Sequence, residues 1–149
     1  MTVRLLVVDE SKESMKAKRL LWSTQLFFVE VRASTPLGKR LLSLTWSKAP
    51  PVLFTEYGVL EGYERIKEYI IELKTGEVIE VAKRAIESSQ GIRVTIDTSL
   101  ILRKLGWSRN ATTSQIVYNI LKKMLIDAEI EKRSNKVKFI IKKGDTHVL

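Results

Sequence analysis

The sequence contains no cysteine and only one histidine, His147, among its 149 residues. Without thiols the chain can form neither disulfides nor thiolate metal sites, and one histidine is too few for a typical zinc site. A Ser-His-Asp triad is not expected either, because that histidine lies at the extreme carboxyl end of the chain. The sequence therefore predicts no metal, no cofactor and no nucleophilic catalytic set.

Aromatic residues and long apolar runs are also scarce. The chain has 3 Trp, 4 Tyr and 4 Phe, and they are not interleaved with basic residues, so a stacking platform for single-stranded nucleic acid is not favoured. No apolar run approaches the 18 residues that span a bilayer, and the start, MTVRLLVVDE, lacks the layout of a signal peptide. We expect a cytoplasmic protein without a membrane partner. Few Gln and Asn beside many Lys, Arg, Glu, Ile and Leu are typical of thermophile proteins.

Positive charge is plentiful and unevenly distributed. The formal net charge is +9, and residues 91–149 carry 12 Lys and Arg against 5 Asp and Glu. Residues 1–90 are nearly neutral, with 14 basic against 12 acidic residues. A basic half joined to a neutral half indicates a polyanion-binding module attached to a second domain.

Hydrophobic periodicity in the last 73 residues predicts the order helix, strand, helix, turn, helix, strand, strand. Asp97, Thr98 or Ser99 can cap the middle helix, which Gly106 ends, and Thr112 or Thr113 is the predicted cap of the following helix. That last helix runs to about Leu125. The other predicted elements are a helix over 77–89 and strands over 92–96, 128–132 and 137–143.

The stretch GWSRNATTSQIVYNILKKMLIDAEIEKRSNKVKFIIKK resembles the turn, recognition helix and wing of the winged helix-turn-helix family. The resemblance implies that the recognition helix enters the major groove of DNA and that the wing, over 132–138, lies beside a groove or the backbone. The wing is short, so it is expected to contact phosphates rather than insert deeply. By position, the DNA-binding residues implied are Arg109, Asn110, Thr112, Thr113, Ser114, Gln115, Tyr118, Asn119, Lys122, Lys123, Lys132, Arg133, Asn135, Lys136 and Lys138.

The residue types fit that role. Gln115 and Asn119 can each pair bidentately with adenine, while Ser and Thr suit several bases or phosphate. The lysines and arginines, Lys104 among them, would mostly meet phosphates, which give affinity without reading sequence. The competing interpretation is that these polar side chains only solvate a helix surface, and winged helices also serve as protein-docking modules.

The amino-terminal half alternates strands and helices and predicts a small open α/β sheet. Its segments are a buried parallel strand over 3–8, a helix from Ser14 to about Thr24 and a strand over 26–31. A helix with proline at its first position starts at Thr35-Pro36. A strand over 52–55 then precedes a helix over 60–74, which Gly76 is predicted to close.

Residues 3–74 also resemble, more weakly, a truncated response-regulator receiver domain. LLVVDES is similar to the strand that ends in an acidic pair, and PPVLFTEYGVLEGYERIKEYI is similar to the third strand, loop and helix. Glu56 stands where the phosphate-accepting aspartate would be, and there is no room for the later strands. The resemblance thus implies a degenerate domain without phosphorylation or magnesium. A generic α/β dimerisation domain is the alternative.

Two other short segments have side chains that suit metal or nucleotide chemistry. Asp9 and Glu10 could bind metal in a nuclease-like site if Glu56 and Glu61 converged on them, but charged residues that end a strand are usually leaving the core. The fragment STPLGKR has Gly38-Lys39 but lacks the earlier glycine and the Ser/Thr of a phosphate-binding loop, so no nucleotide site is predicted.

Together these patterns predict an α/β protein, α+β overall, with a small α/β domain over 1–76 for dimerisation or partner contact and a winged helix-turn-helix over 77–149. The expected function is that of a dimeric transcriptional regulator that binds double-stranded DNA, and not that of an enzyme. The alternative is an accessory subunit of a replication, repair or other nucleic-acid complex, whose winged helix contacts protein or DNA of any sequence. The third possibility is an enzyme that uses Asp9 and Glu10.

Overall fold

The computed structural model describes residues 3–133 and 136–142, without the side chains at 133 and 136. Within these residues the fold is mixed α/β, with five helices and two small sheets. The chain divides into two compact units, Met1–Glu72 and Leu73–Leu149, whereas the sequence predicts the boundary at residue 76. None of the described helices combines the length and the apolar character needed to cross a membrane.

The first unit contains a four-stranded sheet in the order β2-β1-β3-β4. Strands β1 and β2 are parallel, as predicted, but β3 pairs antiparallel with β1 and forms a hairpin with β4. The sheet is therefore not the all-parallel one that strand–helix alternation implies. The elements of this unit are β1 (Leu5–Val8), α1 (Lys12–Ser23), β2 (Val29–Arg32), α2 (Pro36–Leu42), β3 (Val52–Thr55), β4 (Gly58–Glu61) and the start of α3 (Tyr63–Ser88).

Alternation along the strands separates two faces of this sheet. Val7, Val31 and Val52 are buried on one face, where Leu41 and Leu42 of α2 pack against them. The opposite face belongs to α1 and α3. Glu30, which is in register with the buried Leu6, contacts Lys18 of α1, and Arg4 donates from Nε to the Tyr69 hydroxyl of α3 at 2.8 Å.

Helix α2 begins where the sequence predicts, with Thr35 as its N-cap and Pro36 in its first turn. The Thr35 hydroxyl accepts a hydrogen bond from Gly38 N–H at 3.1 Å. Gly38 is buried, and a Cβ built on it would lie 2.1 Å from the carbonyl oxygen of Arg32. The helix therefore approaches the end of β2 as closely as a residue without a side chain allows.

Helix α3 is one continuous helix of 26 residues. The prediction of two helices separated at Gly76 is wrong, because Gly76 lies inside α3. The predicted start at residue 60 is also wrong, because Leu60 belongs to β4. Ile66 and Ile70 are buried before the glycine, and Val78 and Ala82 after it. Burial on both sides of Gly76 outweighs its modest cost in a helix interior, about 1 kcal/mol relative to alanine.

The second unit contains the three-stranded antiparallel sheet β5-β7-β6 and two helices between its first two strands in the chain. Phe139 of β7 is fully buried, and so are apolar residues of both helices, which include Ile101, Val117 and Leu121. The elements are the end of α3, β5 (Arg93–Asp97), α4 (Thr98–Leu105), α5 (Ala111–Met124), β6 (Glu129–Arg133) and β7 (Lys136–Lys142).

Candidate nucleic-acid interface

Five residues, 106–110, connect α4 to α5. Helix α4 is capped by Asp97, one of the three predicted caps, whose carboxylate accepts from Leu100 N–H. Gly106 ends the helix in the left-handed conformation at φ 76°, and Trp107 N–H donates to Leu102 C=O at 3.0 Å. This reversal satisfies carbonyls at the helix end and buries Trp107 in the core of the unit. The two helices are thus joined by a short, internally bonded turn.

The cap of α5 is Asn110 rather than Thr112 or Thr113. The Asn110 side chain accepts from Thr113 N–H at 2.9 Å, and the Thr113 hydroxyl accepts from Asn110 N–H at 3.1 Å. Thr113 is 0 % exposed and also donates to Ser108 C=O at 2.7 Å. Its predicted role as a DNA contact is therefore wrong: the hydroxyl is enclosed in the turn that starts α5.

The exposed face of α5 carries a pair of amides. Gln115 and Asn119 lie one turn apart and are exposed, and the Gln115 Nε2 donates to Asn119 Oδ1 at 2.9 Å. Thr112 and Ser114, nearer the start of the helix, are half-buried. Because one amide holds the other, the two side chains present a combined row of donors and acceptors to solvent.

Tyr118 is held against the neighbouring hairpin rather than projecting freely. Its ring lies 5.8 Å from that of Phe139, measured between centroids. The ammonium groups of Lys122 and Lys132 lie 5.9 and 4.9 Å from its centroid, within the range of cation–π attraction. The ring of Tyr118 therefore lies close to one cation of α5 and one cation of β6.

The residues predicted to form a wing, 132–138, belong to strands β6 and β7, except for residues 134 and 135, which lie outside the described residues. On the sheet face away from Phe139, the register places Lys138 between Asp97 of β5 and Glu131 of β6. Because both cross-strand neighbours are acidic, Lys138 is a weaker candidate for phosphate contact than the lysines around Tyr118. Arg133 and Lys136 end and begin the two strands, and only their main chain is described; Asn135 lies outside the described residues.

Helix α5 is uniformly uncharged or basic. It contains no Asp or Glu, and both cations, Lys122 and Lys123, are exposed in its last turn. Arg109, just before the helix, and Lys104 of α4 are exposed as well. The structure thus brings an amide pair, a ring-bound pair of lysines and flanking cations to one helix and its adjoining hairpin.

A second candidate region lies in the first unit, at the carboxyl ends of the parallel strands β1 and β2. A cleft of about 710 Å³ opens there. Ligands of open α/β sheets bind at such positions. The residues that line the cleft are Val8, Asp9, Glu10, Met15, Lys18, Glu30, Arg32, Ala33 and Ser34.

Asp9 has a structural role in this cleft. Its Oδ1 accepts from Ser11 N–H at 2.9 Å and from the Ser14 hydroxyl at 2.8 Å, and Ser11 is the N-cap of α1. Hydrogen bonds from Ser11, and to a lesser extent Ser14, hold the pKa of Asp9 below its ordinary value of 3.8, against the opposing effect of burial. The carboxylate fixes the turn between β1 and α1.

The carboxylates proposed for a metal site do not converge in the described part of the chain, where no three His, Asp or Glu side chains are close enough together to hold an ion. Glu61 instead binds the loop before β3. It accepts from Ser47 N–H and the Ser47 hydroxyl, both at 2.7 Å, and from Trp46 N–H at 3.1 Å. These bonds lower the pKa of Glu61.

We expect Asp9→Asn to lower the free energy of unfolding at pH 7 by no more than about 1 kcal/mol, because the carboxylate is exposed and screened. A depressed pKa in the folded state means that this stabilisation is present above pH 3.8 and is lost as the pH falls through the lowered pKa. Urea unfolding at a series of pH values measures the difference. Glu10→Gln, which removes a neighbouring exposed charge, is the control. A pH-independent difference for Asp9→Asn would contradict this role.

Sequence reasoning missed the grouping of Lys132 with Tyr118. It assigned Tyr118 to the exposed face of a helix, although the ring is half-buried against β7. The signal was present in the predicted hairpin, where Lys132 and Phe139 fall on the same face once the register is known. Register between strands, however, cannot be read from one strand's pattern alone.

No protein-family model, no curated protein and no solved structure matches the chain.

Proposed function

We propose that this protein binds double-stranded DNA through α5 and the β6–β7 hairpin of its second unit, arranged as a winged helix-turn-helix, and that it acts as a dimeric transcriptional regulator. The observation that carries the proposal is the grouping on one surface of the amide pair of α5 and the lysines around Tyr118. A DNA duplex binds positively charged groups at its phosphates and amide groups at its base edges.

The order of elements supports this arrangement. A strand, a helix pair joined by a tight turn and a two-stranded hairpin follow one another, and the first strand pairs with the last. In helix-turn-helix proteins the second helix of the pair enters the major groove. In this chain that helix is α5, with 14 residues and an exposed polar face opposite its buried stripe.

The amide pair supports base reading. Asn119 Oδ1 accepts a hydrogen bond from Gln115 Nε2. The Asn119 amide N–H groups and the Gln115 carbonyl oxygen are then left to bind other partners. Asparagine and glutamine amides match the N6 and N7 edge of adenine, and each good pair contributes about 1–3 kcal/mol of discrimination. We therefore assign sequence preference to Gln115 and Asn119.

The cations support backbone contact. Lys122, Lys123 and Lys132 are exposed, and the ring of Tyr118 keeps two of them together. Phosphate neutralisation by such lysines supplies affinity that falls as salt rises, because each phosphate contact releases about one counterion from the DNA. Arg109, at the start of the helix, completes the set.

Selection of bound duplexes from a random pool, followed by anisotropy titrations at fixed salt, tests the proposal. A regulator is expected to bind a selected duplex at least ~10³-fold more tightly than random sequence. Equal binding of both would favour the accessory-subunit function, which the acidic neighbours of Lys138 and the packed ring of Tyr118 would also suit. Absence of any duplex binding would leave a protein-docking module and contradict the proposal.

Single variants separate the two kinds of contact. Asn119→Ala is expected to weaken binding to the selected duplex by about 5- to 150-fold and to leave random duplex nearly unaffected. Gln90→Ala, an exposed amide outside α5, is the matched control. A similar loss on both duplexes would show that Asn119 does not read bases.

Lys122→Ala is expected to weaken both duplexes alike and to reduce the slope of log affinity against log salt by about 1. Lys39→Ala, an exposed lysine of α2 in the first unit, is the control. A salt slope unchanged by Lys122→Ala would remove this lysine from the interface.

A further inference from the structure

Strand β2 is an edge of the four-stranded sheet, and its outward main-chain groups belong to two residues of opposite charge. Val29 N–H donates to Arg4 C=O and Ala33 N–H donates to Val8 C=O, so the odd-numbered residues of β2 bond to β1. In a parallel pair, the residues between the bonded ones direct their N–H and C=O groups to the opposite side of the strand. Those residues are Glu30 and Arg32, both exposed.

We propose that β2 pairs antiparallel with β2 of a second copy of this chain, in a register centred on Val31. In that register Glu30 lies opposite Arg32 of the second copy, and Arg32 opposite Glu30, about a two-fold axis. The inference rests on the proposed function in that a single helix pair reads only a short half-site, which a dimer doubles. It names the surface by which the first unit forms that dimer.

The main-chain geometry selects this register. An antiparallel hydrogen-bonded pair needs two residues that both point outward, which Glu30 and Arg32 do. Arg32 C=O already accepts from Thr35, from its N–H at 3.1 Å and from its hydroxyl at 2.7 Å. Each Arg32 N–H therefore donates to Glu30 C=O of the other copy, which gives two symmetric bonds.

Charge excludes the neighbouring registers. A pairing centred on Glu30 would set two glutamates against each other, and one centred on Arg32 would set two arginines together. Like charges directly opposite each other destabilise a strand pair, whereas opposite charges stabilise it. Only the register centred on Val31 makes both cross-strand pairs attractive.

Exposed apolar side chains are found on α1 and in the segment that leads into β2. Trp22 of α1 is 60 % exposed, and its ring lies 6.0 Å from that of Phe28, between centroids. Phe27 and Val29, next to Phe28 in the chain, are exposed, as is Met15, two turns before Trp22 on α1. Trp, Phe and Met are enriched at protein interfaces, so their exposure near an open strand edge fits an interface between two copies.

The other edge of the sheet is less available. Glu61 of β4 is bonded to the loop at Trp46 and Ser47, so that loop occupies one end of the edge. Glu30, by contrast, has one local ion pair, with Lys18 at 3.0 Å through a single carboxylate oxygen. Its second oxygen remains for Arg32 of the second copy.

Charge reversal tests the register. The wild-type full chain, without DNA, is expected to sediment at twice its 17.1 kDa mass. Glu30→Arg or Arg32→Glu alone should raise the dimer dissociation constant at least ~10-fold, because each places like charges opposite each other at two symmetric positions. The double variant Glu30→Arg/Arg32→Glu should restore the dimer. An equimolar mixture of the two single variants should form heterodimers, since one strand is then wholly basic and the other wholly acidic.

Glu80→Arg and Arg84→Glu, which reverse an exposed pair within α3, are the matched controls and should not change the oligomeric state. Circular dichroism checks that every variant is folded. A monomeric wild type, or single variants that dimerise like the wild type, would overturn the inference, as would failure of the mixture to associate. Duplex binding by a monomer would refute the interface and the dimeric state but leave DNA binding by the second unit standing, and a dimer without duplex affinity would refute DNA binding but not the interface.

Discussion

Replacement of Phe139 by alanine is expected to lower the free energy of unfolding of the second unit by about 3–5 kcal/mol. The side chain is fully buried, so the truncation removes its transfer free energy and leaves a cavity. It also removes the aromatic partner of Tyr118, whose ring lies 5.8 Å away and gathers Lys122 and Lys132. Loss of this contact should therefore disturb the arrangement of Lys122 and Lys132 around Tyr118 as well as the packing of the core.

Urea unfolding followed by the fluorescence of Trp107 measures this effect. Trp107 is buried in the second unit, whereas Trp22 and Trp46 of the first unit are exposed and can be replaced by phenylalanine to leave one reporter. Ile140→Ala, on the opposite face of the same strand and only half-buried, is the control and should cost clearly less. Equal losses for the two variants would contradict the central position of Phe139.

Gly38→Ala is expected to destabilise the first unit by about 1–3 kcal/mol or more, since overpacking forces backbone shifts. The new Cβ would lie 2.1 Å from Arg32 C=O and 2.9 Å from Ala33 Cα, and both are main-chain atoms that cannot rotate away. Helix α2 would have to separate from the end of β2, with loss of the packing of Leu41 and Leu42 on the sheet.

Gly76→Ala is the matched control, with the opposite sign. Gly76 lies inside α3 and has no atom within 4 Å of an added Cβ. Alanine there should raise the free energy of unfolding by about 0.5–1 kcal/mol, because it restricts the unfolded chain and favours the helix. Thermal unfolding monitored by circular dichroism compares the two variants. A stabilising Gly38→Ala would show that α2 does not approach β2 so closely.

Local signals predicted the element ends that depend on one residue type. Thr35 and Pro36 start α2 and Gly106 ends α4, as the sequence indicates, and Asp97, one of three predicted caps, caps α4. Each of these residues satisfies or omits a main-chain group at a helix end, so its effect is visible without knowledge of the tertiary fold. The prediction that Gly76 ends a helix is wrong, because the burial of α3 on both sides of it keeps this glycine in a helical conformation.

The direction of each strand, and the strand with which it pairs, could not be predicted from the sequence. Residues 60 and 61 are predicted to start a helix because Leu60 fits the spacing of the apolar residues that follow, but they belong to β4, which pairs with β3 as a hairpin. A short apolar segment fits either period, and its neighbours settle the choice.

The candidate interface was predicted in outline and corrected in detail. The apolar stripe of α5 fixes which residues are exposed, so the placement of Gln115, Asn119, Lys122 and Lys123 on the surface follows from periodicity. Thr113 could not be excluded in this way, because both it and Asn110 are good caps and only the observed hydrogen bonds distinguish them.

The hydrogen bond between Gln115 and Asn119 has an energetic consequence for any ligand of α5. Ordering a long polar side chain at an interface costs about 0.5–1.5 kcal/mol of conformational entropy. A side chain that its neighbour already restrains has lost part of this freedom before binding, so less of the binding free energy is spent on it. Substitution of Gln115 should therefore reduce affinity partly through Asn119, as an entropic loss that calorimetry can separate from a lost contact.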